Sequence, residues 1–303
     1  MKSLYSLMDV TTKDIEQLLK SATDIKKNPK KYSSSLKDKT LLMIFEKPSL
    51  RTRLSFDIGI KQLGGFGIVV DASSTPLGEK ESIEDTAKVV SRYADGIMAR
   101  MFEHARFVKL GNEASIPVIN GLTDDYHPCQ ILSDLLTIKE KKGTLSGLKL
   151  CYLGDADNNV THSLMIGCAL MGIDISIGCP KESMPKDEVV LYAKDVAQGS
   201  EVIVTNDAKE AIKDADIVYA DSWMSYHIKP DMKDKRIKMF MPYQVNKEII
   251  KYAKKDYIFM NCLPAMRGYE QTAEIIDGPN SVVFDQAENR LHMQKAVMLE
   301  LMK

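Results

Sequence analysis

The feature that most restricts the fold of this chain is a rhythm. Short apolar runs at residues 40–45, 67–70, 96–99, 117–119, 149–153, 174–177, 217–220 and 257–260 alternate, for the most part, with stretches long enough for an amphipathic helix. Neighbouring parallel strands need a long crossover, usually helical, and a strand covered on both faces reads as continuously apolar. The alternation therefore predicts an α/β chain of two doubly wound parallel-sheet domains joined by interdomain helices, with ligands at the carboxyl ends of the strands. The first boundary is expected after the apolar helix around residues 131–136, which runs into the polar Lys139-Glu140-Lys141-Lys142-Gly143; this divides the chain into 1–135 and 136–285.

Length and charge narrow the partners. With 303 residues and 44% hydrophobic side chains, the chain can bury two cores. Its 41 basic and 42 acidic residues nearly cancel, which argues against a nucleic-acid or membrane-surface protein. There is no apolar run of transmembrane length, and Met1-Lys2-Ser3-Leu4-Tyr5 does not open a secretory signal, so a soluble, cytoplasmic protein is expected. Cys129, Cys151, Cys168, Cys179 and Cys262 are odd in number and widely spaced without a C-x-x-C pair, which points to neither a disulfide framework nor a zinc site.

Phe45-Glu46-Lys47-Pro48-Ser49-Leu50-Arg51-Thr52-Arg53 is the strongest local signal, because it reads as a strand, a turn and a helix start. Ser49 can cap that helix, Gly64-Gly65 can end it, and its first-turn N–H groups together with the macrodipole favour an anion. Arg51 adds a permanently charged fork. No Walker loop is present. The second half opens with Leu153-Gly154-Asp155-Ala156-Asp157-Asn158-Asn159, a strand followed by a turn. That turn has no G-x-G-x-x-G and carries acids and amides better suited to an amino acid than to a pyrophosphate.

Four further segments fall at or near strand ends: Met98-Ala99-Arg100, His127-Pro128-Cys129-Gln130, Asp221-Ser222-Trp223-Met224-Ser225 and Asn261-Cys262-Leu263-Pro264-Ala265-Met266-Arg267-Gly268. Each has an ordinary structural explanation when taken singly: a surface charge, a turn, a helix cap, a small buried thiol. Together, and in this order, they resemble the aspartate/ornithine carbamoyltransferase family and in particular its ornithine branch. Ser49-x-Arg51-Thr52-Arg53 resembles the family's carbamoyl-phosphate signature and His127-Pro128-x-Gln130 its second signature. Asp155-x-x-Asn158-Asn159, Asp221-x-Trp223-x-Ser225 and Cys262-Leu263-Pro264 resemble the segments of the ornithine branch. Ala287-Glu288-Asn289-Arg290 is similar to the family's final helix, which implies that 286–303 returns to the first domain.

The resemblance implies transfer of a carbamoyl group from carbamoyl phosphate to the δ-amine of L-ornithine, with no cofactor, metal or covalent intermediate. It implies that Ser49, Leu50 through its backbone, Arg51, Thr52 and Arg100 hold the phosphate, and that Thr52, Arg100 and His127 polarise the carbonyl. Gln130 and the backbone carbonyls of Cys262 and Leu263 would receive the carbamoyl NH₂, and Arg290 would add positive charge. Around the amine it implies Asn159 at the carboxylate, Asp221 at the α-ammonium, Ser225 and Tyr226 beside them, and Cys262 along the path of the δ-amine. A homotrimer, or a multiple of trimers, is implied as well.

Several positions depart from the family's pattern: Leu50 for Thr, Tyr226-His227 for Met-Gly, Asn261 for His, and Pro76 where a neighbouring subunit often supplies a polar side chain; whether Glu79 or Lys80 nearby takes that part is open. They keep other readings in view: another amine such as N-acetylornithine, N-succinylornithine or putrescine, or a non-catalytic carbamoyl-phosphate-binding homologue. A Rossmann-type dehydrogenase is a third reading, and the missing glycine fingerprint counts against it.

Overall fold

The computed structural model describes residues 1–72, 80–197, 199–224 and 230–303. The chain forms two compact units, Met1–Leu136 with Glu288–Lys303, and Thr137–Ala287. The first unit runs α1 (Thr12–Lys27), β1 (Thr40–Phe45), α2 (Leu50–Gln62), β2 (Phe66–Asp71), α3 (Ile83–Val90), β3 (Gly96–Arg100), α4 (His104–Glu113), β4 (Val118–Leu122) and into α5 (Pro128–Lys142). The second continues with β5 (Lys149–Leu153), α6 (Asn159–Leu170), β6 (Asp174–Gly178), α7 (Asp187–Val196), β7 (Val202–Thr205), α8 (Ala208–Ile212) and β8 (Ile217–Ala220). It closes with α9 (Lys233–Phe240), α10 (Lys247–Ile250), β9 (Ile258–Asn261), α11 (Ala273–Ile276) and the start of α12 (Val283–Met302). Helices α5 and α12 each have residues in both units.

Both sheets are parallel, with strand orders β2-β1-β3-β4 and β7-β6-β5-β8-β9. Each order reverses once, between β1 and β3 and between β5 and β8, so each sheet has one switch point where neighbouring loops diverge and leave a crevice. The doubly wound expectation is met. Every residue of β3, β4, β8 and β9 is buried, as continuous apolar runs in a covered parallel sheet require. The edge strands differ: β2 alternates between exposed and half-buried residues, and only Val202 of β7 is buried. Strand β7 is the one that the rhythm of apolar runs passes over. Its signal, Val202-Ile203-Val204-Thr205, is four β-branched residues in a row, short and half-solvated as an edge strand tends to be.

Local rules account for the helices that position the site. Thr11 and Asp14 form a reciprocal capping box at the head of α1, whose Ile15, Leu18, Leu19, Ala22 and Ile25 then fall on one buried face. In α2, Ser49 caps the start, and Gly64 at φ 92° takes the left-handed turn after the helix that a side chain would resist. Gly59 lets α2 lie close against α12, since a Cβ there would sit 2.9 Å from Met298 Cε and 3.3 Å from Lys295 Cγ.

Candidate active site

In the first unit the switch point lies between β1 and β3, and Phe45 at the end of β1 pairs with Arg100 at the end of β3. The chain leaving β1 turns through Glu46, Lys47 and Pro48 to Ser49, whose hydroxyl accepts the Thr52 N–H at 3.3 Å. The remaining first-turn N–H groups of α2 are the orphan donors that favour an anion. Beyond β4, a turn closed by Thr123 N–H to Tyr126 C=O at 2.9 Å delivers His127 to the head of α5, and Gln130 follows one turn later. The returning α12 adds Arg290, which donates from Nη1 to Gln130 Oε1 at 2.5 Å and from Nη2 to Thr52 Oγ1 at 3.3 Å. Thr52, His127, Gln130 and Arg290 are all buried.

The orientation of Gln130 is fixed from both ends. Its Nε2 donates to Asp134 Oδ1 at 2.8 Å, one helical turn along, while its oxygen faces Arg290. A carbonyl oxygen has two lone pairs, so Oε1 can accept one further N–H. Lys47 is buried as well, paired with Asp124 and lying over the Phe102 ring at 4.5 Å from its centroid. Burial holds its ammonium below the usual lysine range, with Asp124 pulling the other way. Burial, and after it the positive charges of Arg290, Arg100 and Lys47, hold His127 well below the usual imidazole range. His127 is therefore neutral at neutral pH, so its ring can present one N–H without adding charge. Leu50 is 69% exposed, and what it brings to this site is a backbone N–H. Arg51 is half-buried beside it.

In the second unit the switch point lies between β5 and β8. Gly154 follows β5 at φ 132°, and a Cβ there would meet Trp223 Nε1 at 2.9 Å, so the close approach of the two loops needs glycine. Asn158 caps α6: its Oδ1 accepts the N–H groups of Val160 and Thr161, both at 2.9 Å, and its Nδ2 donates to Tyr152 Oη at 3.1 Å. Asn159 is the first residue of α6. Asp155 is held by the Ser183 hydroxyl and the Arg236 guanidinium, and Arg236 Nε donates to the Trp223 carbonyl at 2.7 Å. One guanidinium thus ties the loop after β8 to the loop after β5.

Ala220 pairs with Asn261, so the ends of β8 and β9 are adjacent. There the Cys262 thiol donates to Asp221 Oδ1 at 3.0 Å, and the Ser222 N–H donates to the same oxygen at 2.7 Å. Burial pushes the Asp221 carboxyl above the usual range, partly offset by those two donors, and burial does the same to Glu270. Asn261, fully buried, accepts the Leu263 N–H on Oδ1 at 2.8 Å and donates from Nδ2 to Gln271 Oε1 at 3.1 Å. Its own N–H goes to Gln286 Oε1 at 2.9 Å. Leu263 stands at φ 57°, in the left-handed region that a branched side chain disfavours, ahead of a cis Leu263–Pro264 bond.

The expected residues thus fall into two groups. Ser49, Thr52, Gln130 and Arg290 are linked by hydrogen bonds in the first unit, with Arg100 and His127 in the same electrostatic cluster. Cys262 and Asp221 touch in the second, where Leu263 follows directly and Asn159 heads α6. Ser225, Tyr226, His227, Pro76 and Glu79 lie outside the described residues, and Lys80 is exposed. Sequence reasoning assigned no role to Lys47, Asp134, Arg236, Gln271 or Gln286. The i, i+4 spacing of Gln130 and Asp134 was a signal available in advance; the others act across long sequence separations.

Among known proteins, the family model for the carbamoyl-P binding domain of aspartate/ornithine carbamoyltransferase matches residues 2–140, and that for the Asp/Orn binding domain matches residues 146–301. The chain belongs to the aspartate/ornithine carbamoyltransferase family. Within it, the chain is 53% identical to the ornithine carbamoyltransferase of Bacillus subtilis (strain 168), over 98% of this chain and 92% of that protein. It is 50% identical to that of Thermococcus kodakarensis, over 99% and 96%. The solved structure of the Pyrococcus furiosus ornithine carbamoyltransferase superposes with a TM-score of 0.96 at 46% identity, covering 99% of this chain and 97% of that one.

Proposed function

We propose that this protein transfers the carbamoyl group of carbamoyl phosphate to the δ-amine of L-ornithine, giving citrulline and phosphate. The observation that carries the reading is the Thr52–Arg290–Gln130 linkage at the head of α2, a buried, preorganised set of polar groups beside the orphan N–H groups of the helix start. Relatives named for ornithine transfer support the choice of amine.

The chemistry follows from where charge moves. When the amine attacks the carbonyl carbon, negative charge grows on the carbonyl oxygen and then on the departing phosphate. Fixed donors that need no reorganisation stabilise both. Ser49, the Leu50 N–H, Arg51, Thr52 and Arg100 take the phosphate. Thr52, Arg100 and the neutral His127 face the carbonyl oxygen. The second lone pair of Gln130 Oε1 accepts the carbamoyl NH₂ and discriminates it from a methyl group. In the second unit, Asp221 pairs with the α-ammonium, Asn159, Ser225 and Tyr226 serve the amino-acid end, and Cys262 lines the approach of the δ-amine. That amine must lose a proton before attack, so turnover rises from neutral towards alkaline pH.

The assembly we propose is a homotrimer or a multiple of trimers. Leu50, Leu54 and Ile58 form an exposed stripe at i, i+4, i+8 on α2, and Phe66 and Ile68 extend from one face of the edge strand β2. A cytoplasmic location fits five cysteines that form no disulfide, and no helix among the described residues is long and apolar enough to cross a membrane.

The test is citrulline formation with phosphate release from carbamoyl phosphate and L-ornithine, run beside N-acetylornithine, N-succinylornithine, putrescine, lysine and aspartate. Ornithine turnover far above the rest is the expected outcome. Turnover of a different amine would overturn the substrate assignment, and carbamoyl-phosphate binding without turnover of any amine would overturn the enzymatic one.

A further inference from the structure

Away from these strand ends, the first unit holds a cavity of about 430 Å³ between α1, α2 and α12 and the turn after α1. Its size falls within the range of small-molecule sites, roughly 300–1,000 Å³. Leu63, Leu291 and Tyr32 supply apolar wall, and the Tyr32 hydroxyl is tied to Asp24, which fixes the ring. The polar lining is one-sided: Lys26, Lys30 and Lys295 contribute three ammonium groups and His292 an imidazole, while no carboxylate is among the lining residues.

Lys295 is the informative member. It is 2% exposed, and its ammonium, with three N–H donors, donates to Gln62 Oε1 at 2.8 Å. A buried ammonium facing a neutral amide is far short of the compensation such a charge needs, and burial accordingly lowers its pKa. Lys26 is partly compensated, by Asn289 Oδ1 at 2.8 Å and more distantly by Glu288 at 3.7 Å, and Glu288 also meets His292 Nε2 at 3.1 Å. His292 Nδ1 is buried with no hydrogen-bond partner. The cavity thus has apolar walls, an excess of donors and an excess of positive charge.

We propose that this cavity is a second ligand site, which takes a small organic anion: an aromatic or otherwise apolar body bearing one carboxylate or phosphate. The head group pairs with Lys295 and Lys30, and the body packs on Leu63, Leu291 and the Tyr32 ring. The site is separate from the phosphate-binding cluster yet shares its helices. Lys295, His292 and Leu291 follow Arg290 on α12, and Gln62 ends the helix that Ser49 and Thr52 begin. A ligand here would therefore sit against the two helices that carry Thr52 and Arg290, as an effector does.

The experiment is calorimetric titration of the full chain with 1-naphthoate, 1-naphthyl phosphate and the neutral 1-naphthol, repeated in Arg51→Ala, Lys295→Met and Lys30→Glu. Saturable one-to-one binding of an anionic probe is expected in the wild type and in Arg51→Ala. It should weaken about tenfold in Lys295→Met and in Lys30→Glu, and the carboxylate and phosphate arms show which head group is preferred. Lys30 is exposed at the rim, so its variant keeps the test decisive if Lys295→Met fails to fold. The proposal is overturned if neither anion saturates, if 1-naphthol binds as well as the anions, or if binding is lost in Arg51→Ala and kept in Lys30→Glu. In that last case the anion occupies the phosphate-binding cluster instead.

Discussion

The two units share a parallel-sheet plan and place their residues of interest at the same topological position, yet the chemistry they present there is opposite. The first gathers cations, Arg100, Arg290 and Lys47, around a neutral His127. The second gathers carboxyls, Asp155, Asp221 and Glu270, whose pKa values burial raises. The sheet decides where a ligand sits, and the side chains at the strand ends decide which charge it carries. Construction differs as well. In the first unit side chains hold one another directly, through Thr52, Arg290, Gln130 and Asp134. In the second, side chains hold backbone loops: the buried Asn158 the turn after β5, the half-buried Arg236 the loop after β8, the buried Asn261 the loop after β9.

The largest effect that would test this contrast is expected from Arg51→Ala. A bidentate guanidinium on a departing phosphate serves ground state and transition state together, so kcat/KM for carbamoyl phosphate should fall about 10³-fold while ornithine binding is spared. Near-normal turnover would mean that the anion site lies elsewhere.

Arg290→Met comes next, because it leaves Gln130 without its charged donor and removes one cation from the cluster. Taking the donor from Gln130 Oε1 and Thr52 Oγ1 costs about 1 kcal/mol of stability, readable as a lower urea midpoint. It should also let the His127 pKa rise, since a positive neighbour is gone, which NMR titration of the imidazole would register. That shift separates an electrostatic role from a packing one.

The same imidazole gives a pH prediction. His127 and His292 are both held below the ordinary value of 6.5, so the unfolded chain binds more protons than the folded one between the depressed values and 6.5. Their contribution to stability is fully present above about 6.5 and is lost as pH falls below it. The Asp155, Asp221 and Glu270 carboxyls, whose pKa values burial raises, act in the opposite sense as pH falls. The histidine contribution is therefore read as the difference between wild type and Arg290→Met in unfolding free energy from pH 8 to pH 5, with the wild type losing more on the acid side. A His127 imidazole that titrates near 6.5 by NMR in the folded wild type would contradict the assignment of a neutral His127.

In the second unit, Asn261→Ala should raise the KM for ornithine about tenfold, because the Leu263 N–H loses its acceptor and the loop that carries Cys262 beside Asp221 loses its fixed shape. Asn261→Asp keeps the acceptor for the Leu263 N–H but replaces the donor to Gln271 by a buried carboxyl, so its KM should fall between wild type and Asn261→Ala while its stability drops. If both variants lost activity equally, the donor would matter more than the acceptor.

What could be read in advance follows the range of the forces involved. The Thr11–Asp14 box, the Ser49 cap and the limits of β1, β5 and β8 come from interactions within a few residues, and such signals are written locally. Cys262 and Asp221 lie 41 positions apart, and Arg290 and Thr52 lie 238 apart. Their proximity depends on topology, so they were reachable only through family resemblance. Asn261 stood out as an unusual residue, but its hold on a left-handed Leu263 needed coordinates. Lys295 left no trace at all, since a lysine in a helical pattern ordinarily reads as surface.

The smallest effect is expected from Tyr226→Met. The family's pattern has methionine where this chain has Tyr226, so the substitution exchanges a rigid phenol for a flexible thioether. Tyr226 lies outside the described residues, and the family resemblance alone assigns it to amine binding; a change in a residue with that role alters ground-state and transition-state binding alike. It should therefore move the ornithine KM a few-fold, about 1 kcal/mol or less, and leave kcat and the carbamoyl-phosphate KM unchanged. Initial rates over a grid of both substrates separate these quantities. A parallel change in the carbamoyl-phosphate KM would break the division of labour between the units, because a residue of the amine-binding unit would then be acting on the anion.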